Sequence, residues 1–307
     1  MGAIVVVGSI NMDLVIHSPR FPSPGETIIG HGFMTAPGGK GANQACAAAK
    51  LGGEVRMLGR VGNDAFGSEL SQHLSGTGVN TADVKAVDDS PSGVALITVR
   101  EGENTIVIDP GANHRLTTAD IAAYRPQLAA ADLVVLQLEI PLEVVAETVR
   151  VAGEVGTPVL LNPAPAATLD AEALAGVSYL TPNAGEAAAL AGRPDPEGGI
   201  STDELEHIVG TLQQMGVSRV CVTLGGDGVA YTREDGTVLR RPAYAVTPFD
   251  TTAAGDVFSG ALAVALTEDR PLDEAVDFAQ RAAALSVTRA GAGPSIPLRS
   301  EVDRFEG

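Results

Sequence analysis

Residues 250–262 read DTTAAGDVFSGAL. Ala253, Ala254 and Gly255 are small residues leading into an apolar stretch that begins at Val257, the pattern by which a chain offers bare backbone N–H groups to an anion at a helix N-terminus. An acid, Asp256, stands at the same point. Two readings compete for it. As an N-cap, its side-chain oxygen would accept an orphan N–H of the first turn and contribute ~0.5–2 kcal/mol. As something other than a cap, it would put a carboxylate where a phosphate would bind, a question this stretch alone leaves open.

Other polar clusters follow short apolar runs. In GSINMD (8–13), Asn11 and Asp13 are two residues apart, so both side chains can point one way. An amide beside a carboxylate suits the vicinal hydroxyls of a sugar, while an Asx turn is the plainer reading. In TPNAGEAA (181–188), Asn183 and Glu186 share one face of a helix start, as in a capping box or a site for hydrated Mg²⁺. TLGGDG (223–228) reads as a glycine-rich turn between strands, a weak sign of a nucleotide-facing loop. GGKGANQ (38–44) is no P-loop, because Met34 and Gly41 stand where a Walker A motif needs Gly and Ser/Thr. VVVGSINMD lacks GxGxxG, so a dinucleotide fingerprint is absent as well. Any nucleotide phosphate must therefore be held by another device.

The elements that position these residues alternate. AIVVVG (3–8), DLVVLQLE (132–139), PVLLNPAP (158–165), VSYLTPN (177–183) and RVCVTLGG (219–226) read as short buried strands. An Ala-rich helix follows Gly41, and helical patterns occupy 141–154, 184–191 and 202–215. The alternation predicts a mostly parallel sheet covered by helices on both faces, with ligands beyond the carboxyl ends of the strands. The segment 93–113 breaks the rhythm: two alternating strands joined by a Glu-Gly-Glu-Asn turn. The piece 26–39 is expected to pair with it, forming a small sheet that is either a lid or an ordinary edge hairpin. The stretch AGRPDPEGG (191–199) reads as a surface loop.

Composition narrows the function classes. The 307 residues suffice for a full core, and a net charge of −18 opposes nucleic-acid binding over most of the surface. A negatively charged substrate then needs a local positive device. Cys46 and Cys221 lie in apolar segments without CxxC spacing, predicting buried thiols, and the five histidines form no HExxH cluster. The N-terminal MGAIVVVGSIN has no basic leader, and no window approaches ~18 uninterrupted apolar residues, so a soluble cytoplasmic protein without a membrane partner is expected.

The ordered set GSINMD, GGKGANQA, LQLEIP, NPAPA, TPNAGE, TLGGDG and DTTAAGDVFSGA resembles the ribokinase family of sugar kinases, within the wider group that includes fructokinases and adenosine kinase. The likeness runs from Gly8 to about Pro297, and its GGKGANQA and DTTAAGDVFSGA stretches are the most specific. It implies an α/β fold, a three-layer α/β/α sandwich in one domain over 1–307, with a β-lid from segments at about 14–36 and 92–110 and homodimers formed through that lid. It also implies transfer of the γ-phosphoryl group of ATP to the 5-hydroxyl of D-ribose.

Matched by position, the resemblance places the sugar against Asn11, Asp13, Gly39, Lys40, Asn43, Glu139 and Asp256. ATP would lie along Asn183, Thr223, Gly225, Gly226, Gly228, Gly255 and Gln280, with an anion hole at Ala253, Ala254 and Gly255 beside the base Asp256. Asn183 and Glu186 match a motif that organises Mg²⁺; K⁺ is implied near Asp250, Thr252, Ser286, Arg289, Gly291 and Ser295, mostly through carbonyls. Thr252 stands where an apolar residue is frequent, and Gln280 where His or Asn often borders the adenine. Other pentoses, deoxyribose, nucleosides and a non-catalytic sugar- or nucleotide-binding regulator remain as alternatives.

Overall fold

The computed structural model describes residues 2–101, 103–169, 171–196, 199–233 and 235–307. Thirteen strands occur among them: β1 (Ala3–Val7), β2 (Asn11–His17), β3 (His31–Gly38), β4 (Glu54–Gly62), β5 (Asn80–Val87), β6 (Gly93–Arg100), β7 (Glu103–Asp109), β8 (Leu133–Leu136), β9 (Val159–Leu161), β10 (Tyr179–Leu180), β11 (Arg219–Thr223), β12 (Val229–Thr232) and β13 (Val238–Arg241). Nine of them form one sheet in the order β13-β12-β11-β10-β9-β8-β1-β4-β5, parallel from β11 through β5 and antiparallel at β12 and β13.

The apolar runs form strands buried on both faces, with alternate residues entering separate cores. Ile4 and Val6 of β1, like Leu133 and Val135 of β8, pack towards the helices Lys40–Lys50, Ala254–Thr267 and Leu272–Ser286. Val5, Val7, Val134 and Leu136 face the opposite core, with Leu142–Val155 and Thr202–Gln214. Full burial of each such side chain is worth ~1.5–3 kcal/mol, which makes this alternation the main force holding three layers together. Cys46 and Cys221 are free and buried within the first core. Among the described residues, no helix is long and apolar enough to cross a membrane.

A second sheet has the order β3-β2-β6-β7, with β2 and β6 parallel. The piece 26–39 therefore does not pair with the 93–113 hairpin as expected: β2 lies between them, hydrogen-bonded to both β3 and β6. The hairpin turn is also tighter than expected, because Glu103 and Asn104 already pair with Arg100 and Val99; Gly102 lies outside the described residues. Asp13 pairs with Ala36 and Ala95, and Ala95 with Ile108, so these share one face of the sheet with Ile97 and Ile106. On that face Asp13 lies near Glu139 and Asp256. Among the described residues of 191–199, the loop is largely exposed as expected.

Candidate active site

The polar groups gather at the carboxyl ends of the parallel strands, where β4 and β8 flank β1 and the chain order reverses, the usual crevice for a ligand in such sheets. Across it, Ser9, just past β1, donates to Glu139, just past β8, at 2.6 Å. The same Glu139 Oε2 accepts the Lys40 N–H at 3.0 Å and the Asn11 amide at 3.4 Å. Three donors thus converge on one carboxylate oxygen. Glu139 thereby caps the helix Lys40–Lys50 from a distance, a task that the N-cap residue Gly39 cannot perform without a side chain. Gly39 itself is required by its φ of 90° and by close approach, since a Cβ there would lie 2.7 Å from the Asn11 nitrogen.

Asn11 is oriented by a residue that follows the second sheet. Asn113 Nδ2 donates to Asn11 Oδ1 at 2.7 Å, while Asn113 Oδ1 accepts the Ile10 N–H at 2.9 Å. The carbonyl of Asn11 is thus committed, and its amide nitrogen points towards Glu139 and the cleft.

Asp256 is not an N-cap. The helix spans Ala254–Thr267 and its N-cap is Ala253, in a left-handed conformation with φ of 60°, so Asp256 lies inside the first turn. Its carboxylate is buried, 5% exposed, and bonds sideways: Asn43 donates to Oδ2 at 3.1 Å and Gln44 to Oδ1 at 2.9 Å. The N–H of Ala254 turns back to the Thr251 carbonyl at 3.2 Å, whereas those of Gly255 and Asp256 are first-turn donors with no intrahelical acceptor. A Cβ built on Gly255 would meet nothing within 4 Å, so open space lies in front of that turn. A buried carboxylate and two first-turn N–H groups without intrahelical acceptors thus sit on one turn.

The residues expected to border a nucleotide lie at the next strands of the sheet. Asn183 and Glu186 do form a capping box, each accepting the other's backbone N–H at 2.8 Å. Asn183 also bridges to Thr223 at the end of β11. Gly225 and Gly226 have open space where a Cβ would be, but Gly228 is demanded by the fold: at φ of 98° its Cβ would collide with the Arg241 carbonyl. Gln280 reaches the same region, donating to the Pro242 carbonyl at 3.2 Å, and its Oε1 is buried without a partner.

Around the proposed cation loop, Asp250 Oδ1 accepts from the Thr252 N–H and hydroxyl, and Oδ2 accepts the Gly291 N–H at 2.7 Å. These bonds outweigh burial and hold the carboxyl below its ordinary value. The Ser286 and Ser295 hydroxyls donate to Ala283 and Ala292, and the Arg289 guanidinium is paired with Glu301. Among the described residues, no group of three or more His, Cys, Asp or Glu could hold a metal ion.

A family model for pfkB family carbohydrate kinases matches residues 1–299. The chain belongs to that family. The kinase is 42% identical to a ribokinase of Bacillus subtilis over 99% of both chains, and 37% identical to a deoxyribokinase of Salmonella typhimurium over 98% of both. The solved structure of Arabidopsis thaliana ribokinase complexed with ribose and ATP superposes with a TM-score of 0.89 at 33% identity, covering 99% of each chain.

Charge is concentrated in the kinase's cleft. Burial, then the nearby Glu139 and Asp256, raise the Asp13 carboxyl from 3.8 to about 7. Burial alone would lower the Lys40 ammonium, but Asp256, Glu139 and Glu186 outweigh it and raise it, so Lys40 stays charged among three acids. Burial also raises Glu186, against the Asn183 N–H and Lys40. For Asp13 the sign is definite. Unfolding lets it ionise at its ordinary value, so its contribution favours the fold below about pH 4 and is lost as pH rises through about 7. Asp13→Asn removes that loss. Its melting temperature relative to the wild type is expected to climb between about pH 4 and 7, by on the order of 5 °C, and then level off. Melts of the sugar-free protein check this; a difference independent of pH contradicts it.

The structure brings Asn11, Asp13, Lys40, Asn43, Glu139 and Asp256 together at the first turn of the helix Ala254–Thr267. Sequence reasoning missed Ser9, Gln44, Asn113, Gln137 and Asn162. Four of them lie inside or beside motifs already singled out, in GSIN, GANQ, LQLE and NPAP, yet only the tertiary structure shows what they touch.

Proposed function

We propose that the protein is an ATP-dependent ribokinase that phosphorylates the 5-hydroxyl of D-ribose with Asp256 as general base. The observation that carries this reading is that Asp256, tied to Asn43 of the sugar-facing helix, shares its first turn with the free N–H groups of the anion cradle. The hydroxyl proton passes to the Asp256 carboxylate as the oxygen forms its bond to the γ-phosphorus, and the bond from that phosphorus to the ADP oxygen breaks. The free N–H groups of Gly255 and Asp256 and the Lys40 ammonium neutralise the charge spread over the transferring group. Asn11, Asp13 and Glu139 hold the other hydroxyls, and Gly225, Gly226 and Gln280 border the nucleotide.

Glu186 would hold hydrated Mg²⁺ through one carboxylate oxygen, since its other oxygen is bound to the Asn183 N–H. Bound Mg²⁺ screens the phosphates of ATP. K⁺ would be held by carbonyls of the 250–252 and 286–295 segments, strengthening the field of the anion turn. In this reading the second sheet is a lid, and its exposed Phe33, Leu96 and Val107 are covered when two lids pair in a cytoplasmic homodimer. The chain is one domain.

The reading is tested by ADP release over a panel of ribose, 2-deoxyribose, other pentoses and nucleosides, in K⁺ and in tetramethylammonium at equal ionic strength. Ribose is expected to exceed 2-deoxyribose in kcat/KM by about 10²-fold, because a missing hydroxyl leaves buried polar groups unpaired. Equal values for the two sugars defeat the ribose assignment, and equal rates in the two salts defeat the K⁺ site. Sedimentation of the same preparation as a monomer defeats the lid-paired dimer.

A further inference from the structure

Gln44 is fully buried, and no role in the chemistry has yet been assigned to it. Its amide donates to Asp256 Oδ1 at 2.9 Å and to Asn162 Oδ1 at 3.1 Å, and its carbonyl accepts from Gln137 Nε2 at 2.6 Å. A side-chain amide can flip, so something must decide which end faces the acid. The decision comes from the next strand. Asn162 donates its own amide to the Thr181 carbonyl at 2.7 Å, which can only accept, so its Oδ1 must face Gln44. Gln44 can satisfy Asn162 only by presenting its NH₂ group, and the same NH₂ group then reaches Asp256. Asn43, the preceding residue, donates to the other carboxylate oxygen.

We infer that Gln44 is a positioning residue for the base: the chain Thr181–Asn162–Gln44 sets the plane of the Asp256 carboxylate and so aims its remaining lone pair at the sugar hydroxyl. The inference rests on the proposed role of Asp256. Rotation of the carboxylate out of this plane would break a hydrogen bond between buried groups, and an unpaired buried polar group is costly. Gln137 closes the chain from the β8 side, with its own Oε1 pressed against Gly8 and unpartnered.

The test is a double-mutant cycle with Gln44→Met, which keeps the length of the side chain and removes the donor, in the wild-type and Asp256→Asn backgrounds. In the wild type, kcat at saturating sugar and ATP is expected to fall about 10- to 100-fold, with both KM values changed less than about threefold. In the Asp256→Asn background the further loss should be under about threefold, because no carboxylate remains to be aimed. Equal losses in both backgrounds mean a merely structural residue and overturn the inference, as does a wild-type-background kcat within about threefold of the parent. Should Asp256→Asn alone keep its kcat, the base assignment fails first. If Gln44→Met does not fold, Gln137→Met in the same two backgrounds serves instead, with an expected loss of about 3- to 10-fold confined to the background that retains Asp256.

Discussion

Asp256→Asn is expected to lower kcat by ~10²–10⁴-fold at saturating sugar and ATP, equivalent to roughly 3–5 kcal/mol of transition-state stabilisation. The structure makes this substitution a cleaner probe than the sequence implied. Asp256 does not cap its helix, so no cap is lost; the N-cap is Ala253. The new amide can still accept from Gln44 through its oxygen, but its nitrogen then faces the Asn43 amide, a donor opposite a donor. One buried hydrogen bond is lost, costing ~1–3 kcal/mol of stability, and the fold should survive with a lowered melting temperature. Sugar KM is expected to change as well, since in the proposed function the carboxylate accepts a hydrogen bond from the bound hydroxyl. A folded Asp256→Asn protein keeping more than about a tenth of the wild-type kcat would falsify the base assignment.

Gly255→Val probes the other half of the same turn. A Cβ at this position points into open space, with nothing within 4 Å, so the folded protein itself tolerates a side chain there. Valine also removes the conformational freedom of a helical glycine, and melting temperature should be unchanged or slightly higher. If that space is where the transferring phosphoryl group must approach the N–H groups, two methyl groups will hold it off by more than an ångström. Displacements of that size are enough to cost about 10²-fold or more in kcat. Sugar affinity, which the proposed function assigns to Asn11, Asp13, Asn43 and Glu139, should change little by comparison. The pair of measurements is a thermal melt and steady-state kinetics with both substrates varied. Near-wild-type kinetics in a stable Gly255→Val protein would show that the anion is held elsewhere.

The parallel strands were legible in the chain because burial on both faces leaves a run such as AIVVV with no polar alternation to confuse it. β2 was not legible. Its sequence NMDLVIH mixes site residues with apolar ones, and it reads as a turn until its partners β3 and β6, far along the chain, are seen on either side. Local sequence marked Asn11, Asp13 and Asp256, since a ligand-facing group sits where a strand ends or a helix begins, whereas Asn43 and Glu139 were marked only by the family resemblance. Whether Asp256 caps its helix depended on where that helix begins. Its apolar pattern starts at Val257, but Ala254 and Gly255 already belong to it, because the left-handed turn at Ala253 is held by surrounding loops. The partners of Asp256 lie further beyond local reading. Gln44 stands 212 residues away from it and Asn162 meets Gln44 across 118. A buried amide takes its direction from whichever acceptor the packed layers bring within 3 Å, and that choice exists only once the two helices and the sheet have closed on one another.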